Sequence, residues 1–113
     1  MKYSTADFAK AIAGKFPMIQ RKITAQEDWA YGIAAEFAKF LNAAIAASDW
    51  ETIDKALVLA EEYLRNADNT LKNAFQCDFF EVLDLRGYNG AKAFSKMSVE
   101  SQKMYRKAQD YIS

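Results

Sequence analysis

Two carboxylates stand at positions where this chain is otherwise apolar. On a helical wheel of about 100° per residue, Asp78 falls inside the apolar stripe of one predicted helix and Glu36 at the edge of another. A buried carboxylate is costly unless it is paired, so both are candidates for acid–base catalysis or metal binding. With a tyrosine they would line a small enzyme or ligand-binding bundle, which is one function that the sequence leaves open.

The chain has no histidine, and this removes the usual partners of such carboxylates. Carboxylate metal sites in helical bundles normally add histidine, and a serine or cysteine nucleophile needs an adjacent base. The stretch "GYNG" at 87–90 lacks the spacing and the lysine of a phosphate loop, and Asp78 discourages thiolate formation at Cys77. We therefore expect a non-enzymatic protein without metal or cofactor, in which Asp78 accepts hydrogen bonds from Arg86, Lys72, a tyrosine or a tryptophan.

The composition predicts an all-α fold in one domain, residues 1–113. The chain is 51% hydrophobic and 14% aromatic, which suffices for a core, and its single proline and four glycines disfavour a fold rich in tight turns. One cysteine cannot form an internal disulfide, and no run reaches the roughly 18 apolar residues of a membrane span. A cytoplasmic protein that does not bind membranes is the expectation.

Capping signals divide the chain into five or six helices with short connections, as in a bundle or a short stack of antiparallel helical hairpins. The boundaries that we predict are Ser4 or Thr5 to Pro17, Thr24 (with Glu27 as a capping box) to about Ala47, Ser48 (with Glu51) to 65–69, Asp68 or Asn69 to Gly87, a short helix near 91–97, and a last helix from Ser98 to about Tyr111. "GYNG" is predicted to be a turn.

Each long helix carries a continuous apolar stripe that we assign to the core. The stripes comprise Trp29, Ile33, Phe37, Phe40, Leu41 and Ala44 in the second helix, Trp50, Ile53, Leu57, Ala60 and Leu64 in the third, and Leu71, Phe75, Phe79, Val82 and Leu85 in the fourth. The second helix is also rich in alanine and contains Gly32, which permits close contacts on several sides. We expect it to be the central helix.

The formal charge is zero but unevenly distributed. Residues 1–48 hold six bases and four acids, residues 49–86 four bases and nine acids, and residues 87–113 five bases and two acids. An acidic middle disfavours nucleic-acid binding and suits a basic protein partner. The alternative is that charged helix faces only keep the domain soluble.

The same acidic middle contains two apolar side chains that the wheel places outside the core. Phe80 points away from Phe79, and Val58 lies outside the stripe of the third helix. Apolar centres with charged rims are typical of protein interfaces, and the candidate contact residues are Asp54, Val58, Glu61, Glu62, Phe80, Glu81 and Asp84. Alternatively, the loop at Tyr88 or the first helix covers Phe80 within the fold.

The stretch "DWETIDKALVLAEEYLRNADNTLKNAFQCDFFEVLDL", residues 49–85, resembles small all-helical bacterial immunity proteins of polymorphic toxin and contact-dependent inhibition systems. The tryptophan-led helix, the acidic "LAEEYL" and the closing "FFEVLDL" carry the resemblance. It implies a cytosolic antidote that binds one cognate toxin domain and occludes its active site. Many such toxins are nucleases with basic clefts, which an acidic helical face would match. A helical adaptor or oligomerisation module is the alternative.

Overall fold

The structure is a computed structural model that describes residues 2–112, and these residues are helical throughout most of their length. In chain order the segments are α1 (Thr5–Lys15), α2 (Gln20–Thr24, entered through the 3₁₀ turn Pro17–Ile19), α3 (Ala30–Ala46), α4 (Trp50–Arg65), α5 (Asn69–Ala74), α6 (Phe80–Val82), α7 (Gly87–Ser95) and α8 (Val99–Ile112). The π-helical turn Phe75–Phe79 joins α5 to α6 without a break, so the described chain has seven helices. The all-α prediction is confirmed, and the predicted count of five to six helices is slightly too low.

Several helix starts are fixed by the side chains that the sequence indicated. An N-cap oxygen accepts a bond from a backbone N–H that has no partner within the first helical turn. The observed bonds run from Asp7 N to Ser4 Oγ (3.2 Å), from Leu71 N to Asp68 Oδ1 (2.9 Å) and from Ser101 N to Ser98 Oγ (3.1 Å). Pro17 follows the last turn of α1, as predicted.

The predicted capping box that starts the second long helix is wrong. Thr24 ends α2, and Glu27 and Asp28 then adopt left-handed backbone conformations with φ of 48° and 63°. This turn delays the start of α3 to Ala30. Trp29 consequently lies beside the helix entrance with 61% of its surface exposed, so its assignment to the core is also wrong.

Two further boundaries differ from the prediction. Asp49 caps α4 by accepting from Thr52 N at 3.3 Å, because Ser48 takes the left-handed conformation (φ 55°) that turns the chain. The next helix ends at Val82 and not at Gly87, and "GYNG" begins α7 instead of forming a turn. Gly90 is required there, because a Cβ at this position would lie 2.6 Å from Leu85 Cα.

The helix α3 is central, as its alanine content predicts. It packs against α1, α2, α4, α5, the π-helical turn, α6 and α7. Its buried side chains alternate small and large, with Ala34 and Ala38 beside Ile33, Phe37 and Leu41. The radius of gyration of 12.8 Å matches the roughly 13 Å of one compact domain of this length.

The π-helical turn explains why two phenylalanines stand side by side. Phe80 N–H donates to the carbonyl of Phe75, a bond five residues back instead of the usual four. The wider turn brings both Phe79 and Phe80 to the side of Phe75, with ring centroids 5.3 and 6.4 Å from it. Phe80 is 2% exposed, so the expectation that it points outward is wrong.

The last helix covers this part of the core. Gln109 Nε2 donates to the carbonyl of Phe80 at 3.0 Å, and Gln76 Nε2 donates to that of Met104 at 3.2 Å, so α8 is bonded along the π-helical turn and α6. Tyr88 is 84% exposed, whereas α6 packs on α8 and α3. Of the alternatives for Phe80, burial within the fold is correct.

We expect Phe80→Ala to lower the free energy of unfolding by about 3–5 kcal/mol, because it leaves a cavity in a packed aromatic cluster. Val58→Ala is the matched control, since the exposed valine should change stability by no more than about 0.5 kcal/mol. Urea unfolding followed by circular dichroism measures both. Equal, small effects of the two substitutions would contradict the burial of Phe80.

Candidate protein-binding surface

The outward side of α4 is the surface with the clearest organisation for binding. The side chains that turn inward are Ile53, Ala56, Leu57, Leu59, Ala60 and Leu64, and the opposite side of the helix faces solvent. We call that outward side the α4 face; its residues are Asp54, Lys55, Val58, Glu61, Glu62 and Arg65. Val58 lies at its middle and is 69% exposed.

A groove runs along each side of Val58. The α1-side groove, about 240 Å³, is lined by Lys15, Asp54, Lys55, Val58, Leu59 and Glu62. The α7-side groove, about 510 Å³, is lined by Asp54, Leu57, Val58, Glu61, Arg65 and Lys96. An exposed apolar side chain between two charged grooves resembles the apolar centre and polar rim of a protein interface.

The charge of this surface is mixed, whereas the sequence indicated an acidic face. Each groove has two carboxylates and two cations. Two of the cations come from other parts of the chain, Lys15 at the end of α1 and Lys96 just after α7, and Lys96 Nζ lies 3.3 Å from Asp54 Oδ1. Sequence reasoning missed these two lysines because only the folded chain brings them to α4.

One exposed ion pair and one hydrogen bond hold Lys55 and Glu61 in place without adding much stability. Lys55 Nζ lies 3.1 Å from Glu51 Oε1 on the same helix, and Glu61 Oε1 accepts from Ser98 N at 3.4 Å. Such exposed pairs contribute about 0–1 kcal/mol each. Their main effect is to order the carboxylates and ammonium groups that a partner would meet.

The other three predicted contact residues do not join the α4 face. Phe80 is inside the core. Glu81 lines a groove of about 710 Å³ between the π-helical turn and α8, together with Gln76, Cys77, Lys107, Ala108 and Asp110. Asp84 lines a third region, with Asn42, Ile45, Ala46, Arg86, Tyr88 and Asn89. The predicted single patch is therefore three separate surfaces.

Asp84 stabilises the linker between α6 and α7 through hydrogen bonds. Its carboxylate accepts from Arg86 Nε and from the terminal guanidinium nitrogen, both at 2.9 Å, and its N–H donates to Asn42 Oδ1 at 2.7 Å. The bonds from Arg86 lower the pKa of Asp84 to about 2. Asn42 also donates to the Val82 carbonyl at 3.0 Å, so it closes the end of α6.

The two inward carboxylates do not form a shared site. Glu36 Oε1 lies 3.5 Å from Lys39 Nζ, and neither Glu36 nor Asp78 lines any of the four grooves named above. Within residues 2–112, no hydrogen bond or ion pair joins Asp78 to Lys72, to a tyrosine or to a tryptophan, and Arg86 binds Asp84 instead. Partial burial raises the pKa of Asp78. In the described part of the chain, no three cysteine or carboxylate side chains are grouped as a metal site would require.

The opposite pKa shifts of Asp78 and Asp84 predict opposite pH effects on stability. The folded pKa of Asp78 is raised above 3.8, so ionisation there opposes folding as the pH rises through that pKa. We expect Asp78→Asn to raise Tm at pH 7 and the gain to shrink as the pH falls toward about 4. Asp84→Asn should lower Tm at pH 7, with the loss disappearing as the pH falls toward about 2.

Thermal unfolding of both variants and the unsubstituted chain across this pH range, followed by circular dichroism, measures the two differences. Each variant is the control for the other, because both exchange one carboxylate for an amide. A Tm difference that has the same sign for the two variants at pH 7 would contradict the described environments.

A family model described as a domain of unknown function (DUF7674) matches residues 9–113, and the chain belongs to that family. No curated protein and no solved structure matches the chain. Of the helices in residues 2–112, none has the length and hydropathy that crossing a membrane requires.

Proposed function

We propose that this protein is a non-enzymatic, cytoplasmic binding protein that uses the α4 face to hold one protein partner. In the form that the sequence resemblance favours, it is an immunity protein that neutralises a cognate bacterial toxin domain by occluding its active site. The single observation that carries the proposal is Val58, an apolar side chain exposed between two charged grooves.

In such an interface the apolar centre contributes most of the binding free energy, and the charged rim affects association rate and specificity. Val58 would be excluded from water by the partner, and truncation of the few central residues that dominate an interface costs about 2 kcal/mol or more of binding free energy. The surrounding charges would speed association and select the partner. Burying Val58 alone is worth only about 1.5–3 kcal/mol, so a tight complex also needs the walls of both grooves.

The mixed charge of the two grooves indicates which charges the partner surface must carry. A basic nuclease cleft is one suitable surface, because its cations would meet Asp54, Glu61 and Glu62. The cations of the α4 face require carboxylates or other acceptors on the same partner. Glu81 and Asp84 lie in other grooves, so the proposed contact does not depend on them.

The second candidate function is an adaptor or oligomerisation module. It is favoured by the equal numbers of carboxylates and cations in each groove, since such a surface tolerates a wide range of partners, including its own copy. Both candidates place the contact at Val58 and differ in what occupies it.

We expect Val58→Asp to weaken partner binding at least about thirtyfold, which corresponds to roughly 2 kcal/mol, while Tm stays within a few degrees of the unsubstituted value. The test co-expresses tagged protein with the polypeptide encoded immediately upstream, measures co-purification, and scores growth when the C-terminal domain of that polypeptide is produced. Tyr88→Asp is the control, because it removes another exposed apolar side chain from a different groove.

Rescue of growth that Val58→Asp abolishes and Tyr88→Asp preserves is the expected result. Rescue that depends on Tyr88 and not on Val58 would move the interface away from α4. Absence of both co-purification and rescue would remove the antidote function.

A further inference from the structure

Four charged residues of α4, namely Glu51, Lys55, Glu62 and Arg65, are ordered so that two antiparallel copies of the helix complement each other at these positions. Lys55 stands three residues before Val58 and Glu62 four residues after it, about 4.5 and 6 Å along the helix axis. Both side chains line the α1-side groove, so they lie on the same side of Val58. A twofold axis that passes between the Val58 side chains of two copies, perpendicular to α4 and parallel to the contact surface, would therefore bring Lys55 of each copy to Glu62 of the other.

A second pair obeys the same symmetry. Glu51 stands seven residues before Val58 and Arg65 seven residues after it, about 10.5 Å away in each direction. In the antiparallel arrangement Glu51 of one copy meets Arg65 of the other. Asp54 and Glu61 come opposite each other on the remaining side, and this like-charge contact opposes association. Lys96, whose Nζ lies 3.3 Å from Asp54 Oδ1, offsets part of the repulsion.

We propose that the α4 face pairs with a second copy of this chain, in an antiparallel helix contact centred on Val58 of each copy. This inference rests on the proposed function, because it uses the same face. Because both contacts use the α4 face, self-association and partner binding are mutually exclusive. Binding of a partner therefore dissociates the dimer.

The contact is expected to be weak. Its apolar centre is one valine from each copy, and its charged pairs remain near the rim, where salt screens them. Small interfaces of this kind are transient, with dissociation constants between about 10 μM and about 1 mM. A weak contact of this strength would not compete with a partner that binds tightly.

Sedimentation equilibrium of the full chain over that concentration range, without any partner, tests the proposal. Lys55→Glu and Glu62→Lys should each raise the dimer dissociation constant at least about tenfold, because each places like charges opposite one another twice. The combined Lys55→Glu, Glu62→Lys variant should restore the dimer to within about threefold. Lys107→Glu, a charge reversal in the groove next to α8, should leave it unchanged.

Circular dichroism of every variant verifies that the fold is intact. A monomer at all concentrations, a dimer that ignores both single reversals, or a double variant that fails to restore association would overturn the proposal. A chain that is monomeric but still neutralises a toxin would remove only the self-association. A dimer that responds to the reversals, in a chain that finds no toxin, would uphold it and remove only the antidote function.

Discussion

The fold depends on an aromatic cluster that a π-helical turn completes. Phe8, Phe37, Phe75, Phe79 and Phe80 form a connected set of ring contacts, with centroids between 5.0 and 6.4 Å apart. A regular helix rotates neighbouring residues by about 100°. Phe79 would then lie beside Phe75, whereas Phe80 would point well away from it. The bond from Phe80 N–H to the Phe75 carbonyl costs regular geometry and gains the burial of a second large ring.

That arrangement determines which surfaces remain for binding. Because Phe80 is buried, α8 lies along α6 and is bonded to it through Gln109. The linker that follows is then held by Asn42 and by Tyr105, whose hydroxyl accepts from Leu85 N at 3.2 Å. The acidic "FFEVLDL" segment is thus committed to packing and to the linker, whereas α4 packs on α3 with one side and leaves Val58 outside. The packing of the core therefore determines that α4, and not the "FFEVLDL" segment, carries the exposed apolar side chain.

Local signals were sufficient for much of the helical organisation and insufficient for the site. Ser4, Asp68 and Ser98 cap their helices through bonds to residues three positions away, so the sequence contains all that is needed to predict them. The position of Phe80 was not predictable in this way, since the extra residue of the π-helical turn is stabilised by contacts with distant rings. The mixed charge around Val58 was hidden for a similar reason, because Lys96 reaches Asp54 across 42 positions of sequence.

Fluorine NMR distinguishes a buried ring from an exposed one at positions 79 and 80, which both lie inside the core. 4-Fluorophenylalanine is incorporated at position 79 or 80, and the change in its chemical shift between H₂O and D₂O reports solvent contact at each ring. We expect negligible changes at both positions, as at Phe37, which is also buried. A shift change at position 80 close to that of the free amino acid would contradict it, because the ring would then lie on the surface and the chain would pass through this segment as a regular helix.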